Sequence, residues 1–164
     1  MTELPHPAHE VYTNDRNLFL RSLFVPPESR EKLLAAYALV VELDKIHANV
    51  SEEMIGHIRY AWWQEMLESL YAGKATQGHP VLEALVPLIA SGRLPKEVLM
   101  PLVEAYRAAY PEPPPEKNAI VRDITLALIP EPQKWLKADG IIIKHQKYYG
   151  ARLRGWLAVK LLLA

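Results

Sequence analysis

No cysteine occurs among the 164 residues, which excludes disulfides, thiolate nucleophiles and sulfur-held metals. Only two phenylalanines and seven glycines are present. The few glycines nowhere form a phosphate-cradling loop, and no Gly-x-Ser-x-Gly elbow occurs. Long apolar runs are also missing: none approaches the ~20 residues a membrane span needs. The start, Met-Thr-Glu-Leu-Pro-His-Pro-Ala-His-Glu, has neither the basic-then-apolar order of a secretory signal nor the arginine-rich, acid-poor character of a matrix-targeting peptide. These absences point to a cytoplasmic protein, with membrane association left open. His47 and His57 have no partner at metal-ligand spacing, so no zinc site is expected.

What is abundant is hydrophobic residues, half of the chain, and proline, 14 residues. That supports one domain with a real core. The net charge of zero hides an asymmetry. Residues 1–133 carry 12 Lys and Arg against 18 Asp and Glu, whereas residues 134–164 carry seven basic residues against Asp139 alone. An acidic body repels phosphates, which argues against nucleic acid as a partner. The basic tail either docks on the acidic body or presents Lys144, Lys147, Arg152, Arg154 and Trp156 to a membrane surface or a partner.

Helical periodicity dominates. Asn14 reads as an N-cap for a short helix from Asp15 to about Phe24, stopped by Pro26-Pro27. Pro27 opens a second helix to about Ala48, with Leu33, Leu34, Tyr37, Val40 and Val41 on one face. Ser51 reads as the cap of a third, about 52–72, with Ile55, Ile58, Trp62, Met66 and Leu70 as its apolar stripe and Gly73 as its stop. Pro80 and Pro95 open a fourth and a fifth. Pro111 to Pro115 forms a stiff spacer, followed by helices at about 117–129, 131–138 and 141–164. Gly140 to Ile143 passes locally as a strand, but nothing else does. The expectation is an all-α bundle of about seven helices in one domain, with an N-terminal part at 14–110, a spacer at 111–117 and C-terminal helices at 118–164.

Several short pieces occur in a telling order: Phe19, Pro26-Pro27-Glu-Ser-Arg30, Ala35-Ala36-Tyr37-Ala38, Glu42-Leu43-Asp44, Arg59-Tyr-Ala-Trp62-Trp63, Leu70-Tyr71-Ala-Gly73, His79-Pro80-Val81 and Leu94-Pro95. Together they resemble the N-terminal half of the squalene/phytoene synthase family from Arg16 to Tyr110. The resemblance implies a partial isoprenoid-synthase-like bundle. It also implies an ancestral site where aspartate-rich motifs on facing helices hold magnesium against a prenyl diphosphate.

The resemblance fails at the acids. Where the family has Leu-Asp-Asp-x-x-Asp, this chain has Leu43-Asp44-Lys45-Ile46-His47-Ala48, so Lys45 and Ala48 replace two ligands. Val41 stands where carotenoid-synthase-like members carry a phosphate-binding Arg. Asn118-Ala-Ile-Val-Arg122-Asp123 resembles the second motif with its spacing off by one, and Ala127 stands where a further acid would be. The degenerate stretch from Glu42 to Arg59 is most similar to a divergent branch containing assembly factors of respiratory complex I. The resemblance thus implies a binding or assembly module for a protein partner or a prenyl lipid. The candidate ligand-contacting residues are Tyr37, Val41, Asp44, Arg59 and Trp63. No cofactor and no metal site are expected. A magnesium-dependent prenyltransferase and a peripheral membrane protein are the alternatives, and Mg²⁺ enters only with the first.

Some roles stay divided. Asp44 is either a vestigial catalytic group or a structural partner of Arg59 or Lys45. Tyr37 is a cavity-lining hydroxyl or a core tyrosine. Trp62 and Trp63, about 100° apart on a helix, cannot both face the core, so one lines a cavity or an interface. The family's central helices have no counterpart between Tyr110 and the terminal segment, which leads to the expectation of exposed apolar surface and a homo-oligomer.

Overall fold

The computed structural model describes residues 5–74, 78–112, 117–129 and 135–137. Seven α-helices occur among them: α1 (His6–Asn14), α2 (Arg16–Ser22), α3 (Pro27–Asn49), α4 (Glu53–Tyr71), α5 (Pro80–Ala90), α6 (Lys96–Ala109) and α7 (Lys117–Leu128). No strand occurs among the described residues. The all-α expectation therefore holds. The basic helix expected at 141–164, with Lys144, Lys147, Arg152, Arg154 and Trp156, lies outside the described residues, as do the spacer prolines Pro113 to Pro115 and the strand-like Gly140 to Ile143.

α3 is the axis of the fold. α1, α2, α4, α5, α6 and α7 all pack on it. Every residue from Leu33 to Val41 is buried, not one face alone as periodicity suggests. The alanines Ala35, Ala36 and Ala38 have little side chain to keep neighbours away, so helices close on α3 from all sides. α7 joins the same core through Val121, Ile124 and Leu128, so chain on both sides of the spacer shares it.

The N-terminus departs from the sequence expectation. An additional helix, α1, precedes the first one expected, and Ala8 and Val11 bury its inner side. Asn14 ends α1, its side chain donating back to the Glu10 carbonyl at 2.9 Å. Asp15 is the true cap of α2, its Oδ1 accepting from the amides of Asn17 and Leu18 at 3.0 and 3.1 Å. Ser51 likewise does not cap α4; Glu52 stands at that position, with no side-chain hydrogen bond.

Three junctions explain motifs in the sequence. Arg30 donates to the carbonyls of Ser22, Leu23 and Val25 at 3.2 Å each, collecting the orphan acceptors where α2 stops. Gly73, at φ +74°, ends α4 with the Lys74 amide donating to the Ser69 carbonyl at 2.9 Å, a left-handed C-terminal stop. The Tyr71 hydroxyl lies 3.1 Å from the carbonyls of both Leu94 and Pro95, joining the end of α4 to the turn before α6.

α4 corrects the expected stripe. Its buried side is Gly56, Tyr60, Trp63, Leu67 and Leu70, spaced by four, three, four and three. Ile55, Ile58 and Trp62, assigned to the core face from sequence, are exposed together with Met54. Both stripes obey helical spacing, and only the contact with α3 and α6 decides between them. No described helix is long and apolar enough to cross a membrane.

Candidate functional site

Asp44 lies about one turn beyond the buried Leu33–Val41 stretch of α3, partly accessible, beside the N-termini of α2 and α7. Its partners are neither Arg59 nor Lys45. Lys117, the first residue of α7, places its ammonium on Asp44 Oδ2 and, at 3.1 Å, on Asp15 Oδ2. The Tyr106 hydroxyl donates to Asp44 Oδ1 at 2.8 Å. Burial works against the charged Lys117, but the carboxylates of Asp44 and Asp15 outweigh it and hold its pKa above the ordinary lysine value. Burial first, and then the Asp44 charge, push the Tyr106 phenol far up. The same two causes and Tyr110 raise Tyr60 to about 12. Both phenols stay protonated, and Tyr106 serves as a donor to Asp44.

Around Asp44, then, two carboxylates share one internal ammonium. Lys45 turns away from them, to Glu10 and to Glu42, the latter at 2.8 Å. Ala48 offers no oxygen. Among the described residues no group of three or more His, Asp or Glu side chains could hold a metal ion. The family's magnesium cluster does not fit this donor set, because the oxygens present already face a cation of the chain itself.

Tyr37 is fully buried. Its hydroxyl lies 2.6 Å from Thr125 Oγ1, and Thr125 spends its own hydrogen on the Val121 carbonyl at 2.7 Å, which leaves Tyr37 as donor. Val41 is buried as well. Both sit in the packed core and neither lines the groove that Arg59 and Trp63 line, so the five candidate ligand-contacting residues divide into three places.

Arg59 and Trp63 line a groove of about 460 Å³ between α3, α4 and the start of α5, with Ile46, Ile58, Trp62 and His79. Trp63 is buried and Trp62 is 39% exposed, which resolves the tryptophan pair as one core ring and one surface ring. They meet edge-on, centroids 5.1 Å apart, and Trp63 meets the His79 ring at 4.8 Å. His79 Nδ1 accepts from the Val81 amide at 3.3 Å as the cap of α5, which leaves its Nε2 facing Glu42 Oε2 at 3.6 Å. Burial pushes the Glu42 carboxyl up, but His79 and Lys45 outweigh it and bring its pKa to about 2. The groove therefore has an aromatic floor, a polar wall whose charges are already matched, and Arg59 exposed at its rim.

Sequence reasoning missed Lys117, Asp15 and Tyr106, because they join Asp44 across 73, 29 and 62 positions of chain. It also missed the buried Arg21, which donates to Asn118 Oδ1 at 2.8 Å. The run resembling a second acidic motif thus contributes a structural amide, while Arg122 and Asp123 lie exposed and 3.7 Å from one another.

Residues 11–115 match the family model described as squalene/phytoene synthase. The chain belongs to the squalene/phytoene synthase family. Its match takes in α2 to α6 whole, including Asp44 and the tryptophan pair. Among curated relatives within reach, this family member is 34% identical over 86 residues to "NADH dehydrogenase (ubiquinone) complex I, assembly factor 6" of Homo sapiens, and 33% identical over 86 residues to the Bos taurus protein of the same name. Those stretches are 52% of this chain and 26% of each relative, so the chain spans about a quarter of the length of the curated relatives it matches. No solved structure matches.

Proposed function

We propose that this chain is a non-catalytic member of the synthase family that works as a binding or assembly module for a protein partner, with its aromatic groove as the contact site. The single observation that carries the reading is the Lys117 ammonium between Asp15 and Asp44. In a prenyltransferase, carboxylates at such a site hold divalent ions that neutralise the departing diphosphate. A lysine covalently part of α7 neutralises the carboxylates instead, and neither oxygen set is left for metal. The relatives named as assembly factors support a role through protein contact. The groove over Trp62 and Trp63, with Arg59 at its rim, has an apolar floor and an exposed guanidinium suited to a partner's apolar side chain or to a prenyl lipid.

The test is turnover. Purified chain incubated with farnesyl or geranylgeranyl diphosphate and Mg²⁺ releases no inorganic diphosphate above the protein-free control. Release that disappears in Asp44→Ala establishes the prenyltransferase alternative and overturns this reading.

A further inference from the structure

Four large apolar side chains project from one side of α4: Met54, Ile55, Ile58 and Trp62, at 75, 40, 61 and 39% exposure. They lie opposite the buried Gly56–Leu70 stripe. Together they expose on the order of 400 Å², a patch size that on a monomer is often functional. A hollow lies on each flank. One is the groove over Trp63; the other is a shallow depression of about 610 Å³ lined by Glu53, Met54, His57, Ile58 and Ala61. Ile58 lines both, so α4 is an apolar ridge between two hollows, a shape against which a second helix packs.

Carboxylates bracket the ridge. Glu52 and Glu53 precede Met54, and Glu65 and Glu68 follow Trp62, all four exposed. Glu65 stands seven residues after Ile58, on the same row of the helix. Glu53 faces His57 at 3.6 Å and Glu68 accepts from Gln64 at 3.3 Å. The side chains of Glu52 and Glu65 make no hydrogen bond or ion pair among the described residues. Arg59 and His57 flank the middle of the ridge, not its ends.

That order of charge selects the occupant. Both ends repel an anionic bilayer. They repel a second copy as well. With two α4 helices antiparallel about a two-fold axis at Ile58, Glu65 of one copy comes within ~3 Å along the axis of Glu52 and Glu53 of the other. With the helices parallel, every carboxylate faces itself. The complement is an apolar stripe of two to three turns with Lys or Arg just beyond each end, since Glu53 and Glu65 are ~18 Å apart along the helix.

We propose that the exposed face of α4 docks a cationic amphipathic helix of a partner protein, its apolar side chains across Ile58 and Trp62 and its end cations on the four glutamates. The inference rests on the protein-partner reading above and supplies that partner's chemistry. The patch is half of the ~800 Å² per partner of a standard interface, so the contact is a weak one, with Kd about 10–100 µM.

The test uses the full chain and a fluorescein-labelled peptide of about 18 residues, with leucines at helical spacing and lysines at both ends, read by fluorescence anisotropy. One control peptide carries glutamates at its ends; another keeps the lysines and scrambles the leucines. The first peptide is expected to bind about tenfold tighter than either control. Ile58→Ser weakens it about tenfold, and Met54→Ser takes its place where circular dichroism shows the first variant misfolded. Glu65→Lys with Glu68→Lys weakens it severalfold, as does about 0.5 M salt. No binding, or binding indifferent to end charge or to Ile58→Ser, overturns the proposal; diphosphate release is a separate readout, so the non-catalytic reading stands or falls apart from this one. A dimer in sedimentation, or flotation on anionic vesicles, that Ile58→Ser abolishes overturns it by assigning the face to a second copy or to a membrane. The chain has no natural cysteine, so Ile58→Cys can be probed alone with a thiol reagent. Protection of that thiol in the isolated full chain overturns the proposal by assigning the face to the chain itself.

Discussion

At Gly56 the absence of a side chain is a packing requirement. A Cβ built there falls 2.2 Å from the Tyr110 ring, which meets α4 edge-on against His57 at 5.2 Å and Tyr60 at 5.4 Å. An alanine adds about 1 kcal/mol of helix propensity, but overpacking costs about 1–3 kcal/mol and the displaced ring loses its contacts. Gly56→Ala is expected to destabilise the fold by about 2 kcal/mol net, measured by urea unfolding. Tyr110→Leu in the same chain relieves the clash, so the two changes are non-additive. Additive losses contradict this packing account. Gly56 has the appearance of an incidental helix residue in the sequence, because its partner lies 54 positions downstream. Gly73 was readable, because a left-handed helix stop is a local event.

Between elements, Lys117 is the clearest link. It joins the first turn of α7 to the middle of the fold through Asp44 and to the cap of α2 through Asp15. Its raised pKa means that this stabilisation is complete below the ordinary lysine value, neutral pH included, and lost only as pH rises through the folded value. Lys117→Met leaves two facing carboxylates without their cation. Groups buried this way cost about 3–5 kcal/mol when one partner is removed. All three side chains here keep some solvent contact, Lys117 at 35%, so the expected loss is about 1–3 kcal/mol at pH 7. Asp44→Asn added to Lys117→Met recovers part of it. No loss in the single variant, measured by urea unfolding, removes the charge link as a structural element. The bounds of α3 to α7 were legible to within a few residues, since prolines, glycines and the 3.6-residue period act locally. The choice of buried stripe on α4 and the partner of Asp44 were not. Two stripes satisfied the same period, and a contact across 73 positions leaves no local trace.

For the molecule as a whole, the acidic body governs behaviour in acid. Glu42 binds its proton near pH 2 in the folded chain against 4.5 ordinarily. A depressed carboxyl contributes stability that is fully present above about pH 4.5 and is lost as pH falls toward 2. Wild-type chain is therefore expected to lose urea resistance steeply between those values, and Glu42→Gln to be weaker at pH 6 with a shallower dependence over the same window. Parallel profiles for the two proteins contradict the assignment. The pairing of Glu42 with Lys45 was open to an i,i+3 reading of the sequence, while His79 enters only because α5 folds back on α3.

The encirclement of α3 has a consequence for the order in which the molecule comes apart. A helix whose neighbours cover it on every side cannot open its amides until those neighbours lift, so the amides between Leu33 and Val41 report the global transition. The peripheral helices α1 and α2 are each anchored on one side, and can peel away beforehand. Deuterium uptake should thus sweep inward, with the alanine-rich centre taking it up last.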